Sequence, residues 1–141
     1  METALSYHGW IAEAVYVVTS ASLGRSREFE MPLGRCSFAR VPQKVFYSGV
    51  TRIEKSFGDL SEPSLHAGES FMMASPLKAL TDYVYVHRLD WSSAHPIIES
   101  LRVDRSSLSG IVTEEFDRLL SNYTSRRVLH FLEGLRKDLN R

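Results

Sequence analysis

Hydrophobic positions along this chain follow one spacing before residue 75 and another after it. In the first part, short runs of β-branched and aromatic residues are divided by Gly and Pro, which is the pattern of strands and turns. A helical start over 2–8 closes at Gly9, a residue suited to the left-handed position after a helix. Ala14-Val15-Tyr16-Val17-Val18-Thr19 then reads as a strand. Residues 27–31 and 35–41 read as two more, joined into a hairpin through Met31-Pro32-Leu33-Gly34. Val45-Phe46-Tyr47 and Val50-Thr51-Arg52-Ile53 continue the strand pattern, and Ser70-Phe71-Met72-Met73-Ala74 is a short apolar strand. Together these predict a small, mostly antiparallel sheet of five short strands with one face covered. Residues 58–68 predict a long loop of the kind that contacts partners.

After residue 75 the spacing becomes helical. Ser75 is a good N-cap and Pro76 suits a first turn, where its missing N–H costs nothing. Leu77, Leu80, Val84 and His87 form an apolar stripe, while Lys78 and Asp82, four apart, pair on another side, so this helix is expected to be half buried. Residues 82–87 also alternate like a strand, but length and the start signal favour helix. Further helices are predicted over 96–102, 113–123 and 125–139. Phe116, Leu119, Leu120 and Tyr123 line one face of the second of these, and Val128, Leu129, Leu132, Leu135 and Leu139 line the third. These two helices are expected to pack antiparallel. Gly134 should weaken the last helix by about 1 kcal/mol relative to Ala. The fold class is therefore α+β, with a sheet from the N-terminal half and helices packed from the C-terminal half.

Length sets the frame: 141 residues suit one domain, 1–141, with a strand-rich lobe over 1–74 and a helical lobe over 75–141. A hydrophobic fraction of 43% with 24% charged residues describes a folded chain. Cys36 stands alone, which excludes an intrachain disulfide or a CxxC cage and fits a reducing compartment. Mid-strand, it reads as a buried structural residue rather than a nucleophile. No basic stretch followed by an apolar run opens the chain, and no run approaches the roughly 18 to 20 apolar residues of a membrane span, so the expectation is a soluble cytoplasmic protein with no membrane partner.

Lys+Arg and Asp+Glu balance at 17 each, yet the charges separate along the chain. Over 24–55, Arg25, Arg27, Arg35, Arg40, Lys44, Arg52 and Lys55 outnumber Glu28, Glu30 and Glu54. Over 56–99, Asp59, Glu62, Glu69, Asp82, Asp90 and Glu99 outnumber Lys78 and Arg88. Solvated faces account for much of this, but Arg25, Arg27, Arg35, Arg40 and Lys44 also form the strongest surface signal for phosphate contact. Few aromatics fall at the sequence spacing needed for base stacking.

Catalytic signatures are sparse. The five histidines show no HxxxH or HExxH spacing, and His87 and His130, near apolar helical faces, read as packed residues. Neither a GxSxG elbow nor a Gly-rich phosphate loop occurs. Glu28, Glu30 and Glu54-Lys55 offer the acidic and basic elements of a nuclease, but cross-strand salt bridges with neighbouring arginines explain them more simply. No catalytic residue, metal or cofactor is assigned.

Several stretches together resemble the AbiEi antitoxin family of type IV toxin–antitoxin, abortive-infection systems, which act in phage defence. They are Glu2-Thr3-Ala4-Leu5-Ser6-Tyr7-His8-Gly9-Trp10-Ile11, Val15-Tyr16-Val17-Val18-Thr19, Gly24-Arg25-Ser26-Arg27, Phe38-Ala39-Arg40-Val41-Pro42 and, above all, Ala74-Ser75-Pro76-Leu77-Lys78-Ala79-Leu80-Thr81-Asp82. Arg126-Arg127-Val128 with Phe131-Leu132 extends the similarity. Family members place a winged helix ahead of the segment resembling 2–10, and this chain looks like the C-terminal antitoxin domain alone. The resemblance implies a non-enzymatic domain that opposes a nucleotidyltransferase-like toxin, acting as a transcriptional regulator where the DNA-binding module is present. Candidate nucleic-acid or partner-binding residues are Arg25, Arg27, Arg35, Arg40, Lys44, Arg126 and Arg127. The alternatives are a DNA-binding accessory domain that contacts phosphates through basic strands and a degenerate nuclease-like domain.

Overall fold

The structure is a computed structural model and describes residues 1–12, 17–32, 34–54 and 70–140. In chain order the elements are α1 (Glu2–Tyr7), β1 (Val17–Ser22), β2 (Arg27–Met31), β3 (Gly34–Arg40), a 3-10 turn (Gln43–Val45), β4 (Val50–Glu54), β5 (Ser70–Ala74), α2 (Pro76–Val86), α3 (His95–Leu101), α4 (Arg105–Ser109), α5 (Thr113–Asn122) and α6 (Arg126–Asp138). The class is α+β. The short helix α4 was not anticipated, and the loop expected over 58–68 lies outside the described residues, as does the start of the strand expected from Ala14.

Among the described residues five strands form, but in two sheets rather than one. β2 and β3 make the expected hairpin, with Met31 opposite Gly34 and Arg27 opposite Phe38, and β1 runs parallel to β3 on its other side. β4 and β5 pair antiparallel by themselves. The break between sheets falls at 45–47, expected as strand and found as turn. Pro42 fixes an extended entry, Val45 N–H donates back to the Pro42 carbonyl at 3.1 Å, and the winding buries Val45 completely. Burial of one Val side chain thus outweighs the β propensity of three residues. The inner side of β1 is covered by α1: Thr19 N–H donates to Thr3 Oγ1 at 2.8 Å, which ties the strand to that helix.

Helix α2 lies at the centre. Ser75 Oγ accepts from Lys78 N–H at 3.2 Å, confirming the cap, and also donates to Glu115 on α5. Because α1, α5 and α6 all pack on α2, burial extends well past the Leu77–Leu80–Val84 stripe to Ala79, Thr81 and the Lys78/Asp82 pair. The half-buried expectation is corrected by these neighbours, which a single-helix pattern does not contain. His87 and His130, expected to be packed, are exposed, His87 beside Glu2 at 3.3 Å at the end of α2. The helical core is completed by Phe116 and Leu119 of α5 and by Val128, Phe131, Leu132 and Leu135 of α6. The two helices run antiparallel, so Arg136 near the end of α6 meets Asp117 in the first half of α5 at 2.9 Å.

Gly134 has a reason beyond helix propensity. A Cβ built there would meet the Ser92 carbonyl oxygen at 1.8 Å, so the absent side chain lets the backbone before α3 lie directly on α6. Asp138 Oδ2 accepts from Ala94 N–H at 2.9 Å and holds the same loop one turn further on. Among the described residues no helix is long and apolar enough to cross a membrane.

Candidate functional site

Strand register divides the three-stranded sheet into two chemically different faces. Paired residues share a face, so Val18, Ser20 and Ser22 of β1 lie with Cys36, Phe38 and Arg40 of β3 and with Arg27, Phe29 and Met31 of β2. This face is open: Val18, Phe29, Met31 and Phe38 are exposed, and the Phe29 and Phe38 rings meet edge to face with centroids 6.0 Å apart. Cys36, between them, is half-buried rather than buried. The other face carries Glu28, Glu30 and Arg35, with Arg35 Nη2 donating to Glu30 Oε1 at 3.1 Å.

The arginines singled out from the sequence are therefore sorted. Arg27 and Arg40 share the open face, flanking Phe38, and among the described residues no carboxylate pairs with either. Arg25 sits in the exposed irregular segment leading into β2. Arg35 points to the opposite face and is paired. Lys44 is exposed on the 3-10 turn, and Arg126 is exposed at the start of α6, both off the sheet. Arg127 is partly buried: its Nη2 reaches the Tyr85 carbonyl at 3.5 Å, while its Nε is buried without a hydrogen-bond partner.

Sequence spacing missed Phe29 and Phe38 as a pair because they are nine positions apart. The signal was nevertheless present in the hairpin: a two-residue link fixes Met31 opposite Gly34, and counting back along both strands brings Arg27 opposite Phe38 with Phe29 diagonal to it.

A cleft of about 570 Å³ opens between the two sheets. Its walls are the edge strand β1 (Val18 to Ala21) and strand β5 (Phe71 to Ala74), with Phe46 and Tyr47 between them and Met1, Thr3, Ala79 and Asp82 beneath. The exposed rim residues Tyr47, Met72 and Val18 are apolar or aromatic, and Val18 also belongs to the open sheet face, so the two surfaces are continuous. Tyr47, Met72 and Val18 were not among the sequence candidates.

Under the cleft, Asp82 is held from two sides. Lys78 Nζ lies 2.5 Å from Asp82 Oδ1, and Tyr123 OH donates to the same oxygen. The ammonium also stands 5.7 Å from the Tyr123 ring centroid. Burial pushes the Lys78 pKa down despite the neighbouring carboxylate, and burial, reinforced by the Asp82 charge, pushes the Tyr123 phenol far up. All three side chains are nearly inaccessible, so the arrangement fastens α2 to the end of α5. Among the described residues no group of three or more His, Cys, Asp or Glu is placed to hold a metal ion.

No family model, curated protein or solved structure matches the chain.

Proposed function

We propose that this chain is a non-enzymatic regulatory binding domain of the antitoxin kind, acting in the cytoplasm to oppose a nucleotidyltransferase-like toxin. The family resemblance supports the toxin as partner. The observation that carries contact as the mode of action is the continuous exposed apolar surface formed by Tyr47, Met72 and Val18 around the cleft. Exposed apolar patches of this kind mark interaction sites, because leaving them in water costs free energy that a partner recovers. The polar groups nearby are engaged internally: Thr19 with Thr3, and Asp82 with Lys78 and Tyr123.

Co-expression with a nucleotidyltransferase encoded beside this gene tests the proposal. Rescue of growth by the wild-type chain, lost on Met72→Glu with Tyr47→Ala, is the expected result. Rescue that persists in this variant removes the cleft rim as the contact, and absence of rescue by the wild type removes the toxin.

One observation favours a second reading, contact with nucleic-acid phosphates through the basic strands, with or without a transcriptional role. Among the described residues, Arg27 and Arg40 have no carboxylate partner and share a face that carries no carboxylate, an arrangement suited to polyanions.

A further inference from the structure

We infer that the open face of the β1-β3-β2 sheet is a platform for single-stranded nucleic acid, on which unpaired bases stack against Phe29 and Phe38 while Arg27 and Arg40 take the flanking phosphates. This rests on the second reading above and adds to it the strandedness of the ligand and the residues that read it.

Three features of the sheet converge. First, β2 separates its charges: Arg27 points to one side, and Glu28 and Glu30 to the other, where Arg35 opposite Glu30 is neutralised. Among the described residues the charges left on the open face are therefore all cationic, which selects an anionic ligand and disfavours a neutral apolar one. Second, the two rings are side by side at 6.0 Å and their residues are 48% and 36% exposed, so each keeps surface for an incoming π-system. Exposed Phe rings stack on incoming bases in such platforms, whatever the base, because every base has a π-face. Third, the spacing is compact. Arg27 lies directly across from Phe38, and Arg40 follows Phe38 by two residues on the same face, so each cation sits within one side-chain length of a ring. A duplex keeps its bases stacked internally and can use only the arginines, whereas a single strand can use arginines and rings together.

An acidic protein surface could satisfy the arginines and cover the rings, but a single strand alternates phosphates with π-faces along its length, as this face alternates cations with rings. The combination of rings and cations is therefore what decides for an unpaired strand.

Fluorescence anisotropy of the intact chain provides the test, using labelled oligothymidine and oligouridine of about 12 nucleotides and a duplex of equal length. Single strands should bind more tightly than duplex at about 50 mM salt and weaken steeply by about 200 mM. Phe29→Ala with Phe38→Ala should weaken single-strand binding about tenfold or more while leaving the weaker duplex binding in place. Arg27→Ala with Arg40→Ala should weaken both and flatten the salt dependence by roughly 0.7 per lost contact. Arg35→Ala, on the opposite face, should change neither.

Duplex and single strand bound alike, with no effect of the phenylalanines, would overturn the stacking inference and leave phosphate contact standing. No binding of any oligomer at low salt would overturn both. If no oligomer binds and toxin rescue is lost in the Phe29→Ala/Phe38→Ala chain, the face docks protein and the inference fails.

Discussion

The helical half and the three-stranded sheet solve opposite problems with similar residue types. Around α2, apolar side chains disappear from solvent: Leu77, Leu80, Val84, Phe116, Leu119, Phe131, Leu132 and Leu135 are all fully buried. In the sheet no residue of β1, β2 or β3 is buried, and Phe29, Met31 and Phe38 face solvent. The same kinds of side chain therefore stabilise the fold in one region and remain available for contact in the other. The difference follows from neighbours. α2 is packed by three helices, while among the described residues β2 and β3 are held chiefly by their own hairpin and by β1.

The contrast is sharpest at the buried ion pair. Lys78→Ala leaves the Asp82 carboxylate buried with only Tyr123 as partner, and should cost about 3–5 kcal/mol. Urea unfolding reads this directly, and a loss below about 1 kcal/mol would mean that the pair is open to water. Arg35→Ala in the exposed sheet pair provides the comparison and should cost less than about 1 kcal/mol.

Gly134→Ala comes next. Helix propensity alone predicts a gain of about 1 kcal/mol, but the new methyl would strike the Ser92 backbone, so the net effect should be a loss of about 1–3 kcal/mol. A higher melting temperature for this variant would show that the loop before α3 yields easily.

Tyr123→Phe should cost about 1–3 kcal/mol near neutral pH by removing the hydroxyl donated to Asp82. It should also change the alkaline response. The folded phenol titrates above its ordinary value of 10.0, so above that pH the unfolded chain loses a proton the folded chain keeps, and stability falls as pH rises. Lys78 acts in the other direction: its folded pKa lies below 10.5, so stability rises as pH climbs from that folded value towards 10.5 and gains nothing beyond. Above about 10.5 the phenol term is therefore unopposed by the lysine, and the Phe variant should lose stability more slowly than wild type, with Tyr83, also raised by burial, supplying part of the remainder. Equal alkaline slopes would contradict the burial of Tyr123.

A smaller effect than any in the helical core belongs to the open face. Phe29→Ala with Phe38→Ala should move the urea midpoint little, since both rings are substantially exposed, at a cost of about 0.5 kcal/mol per site plus a similar amount for the lost ring pair. A larger loss would place these rings in the core and close the face to any ligand.

How much of this was legible depended on whether the deciding interaction was local. The Ser75-Pro76 start, the stripes of α2, α5 and α6 and the β2–β3 hairpin rest on contacts within a few residues, and each was readable from spacing. The division into two sheets was not, because it turns on the burial of Val45 in the core. The depth of Lys78 and Asp82 depends on Tyr123, some forty residues away, and the role of Gly134 depends on Ser92. For the candidate surface, sequence supplied the arginines but placed Arg35 in the same group as Arg27. Pairing register separates them and brings Phe29 to Phe38. The rim residues Tyr47 and Met72 carry no sequence signal of exposure, since apolar residues in strand-like segments are ordinarily taken as core.

The most direct test of the account is one chain measured twice: Arg27→Glu with Arg40→Glu, followed for its urea midpoint and for its retention on immobilised single-stranded oligothymidine. An unchanged midpoint with retention abolished is the predicted result. Retention at the wild-type level, or a midpoint that falls by more than about 1 kcal/mol equivalent, would contradict the assignment of this face to contact rather than to stability.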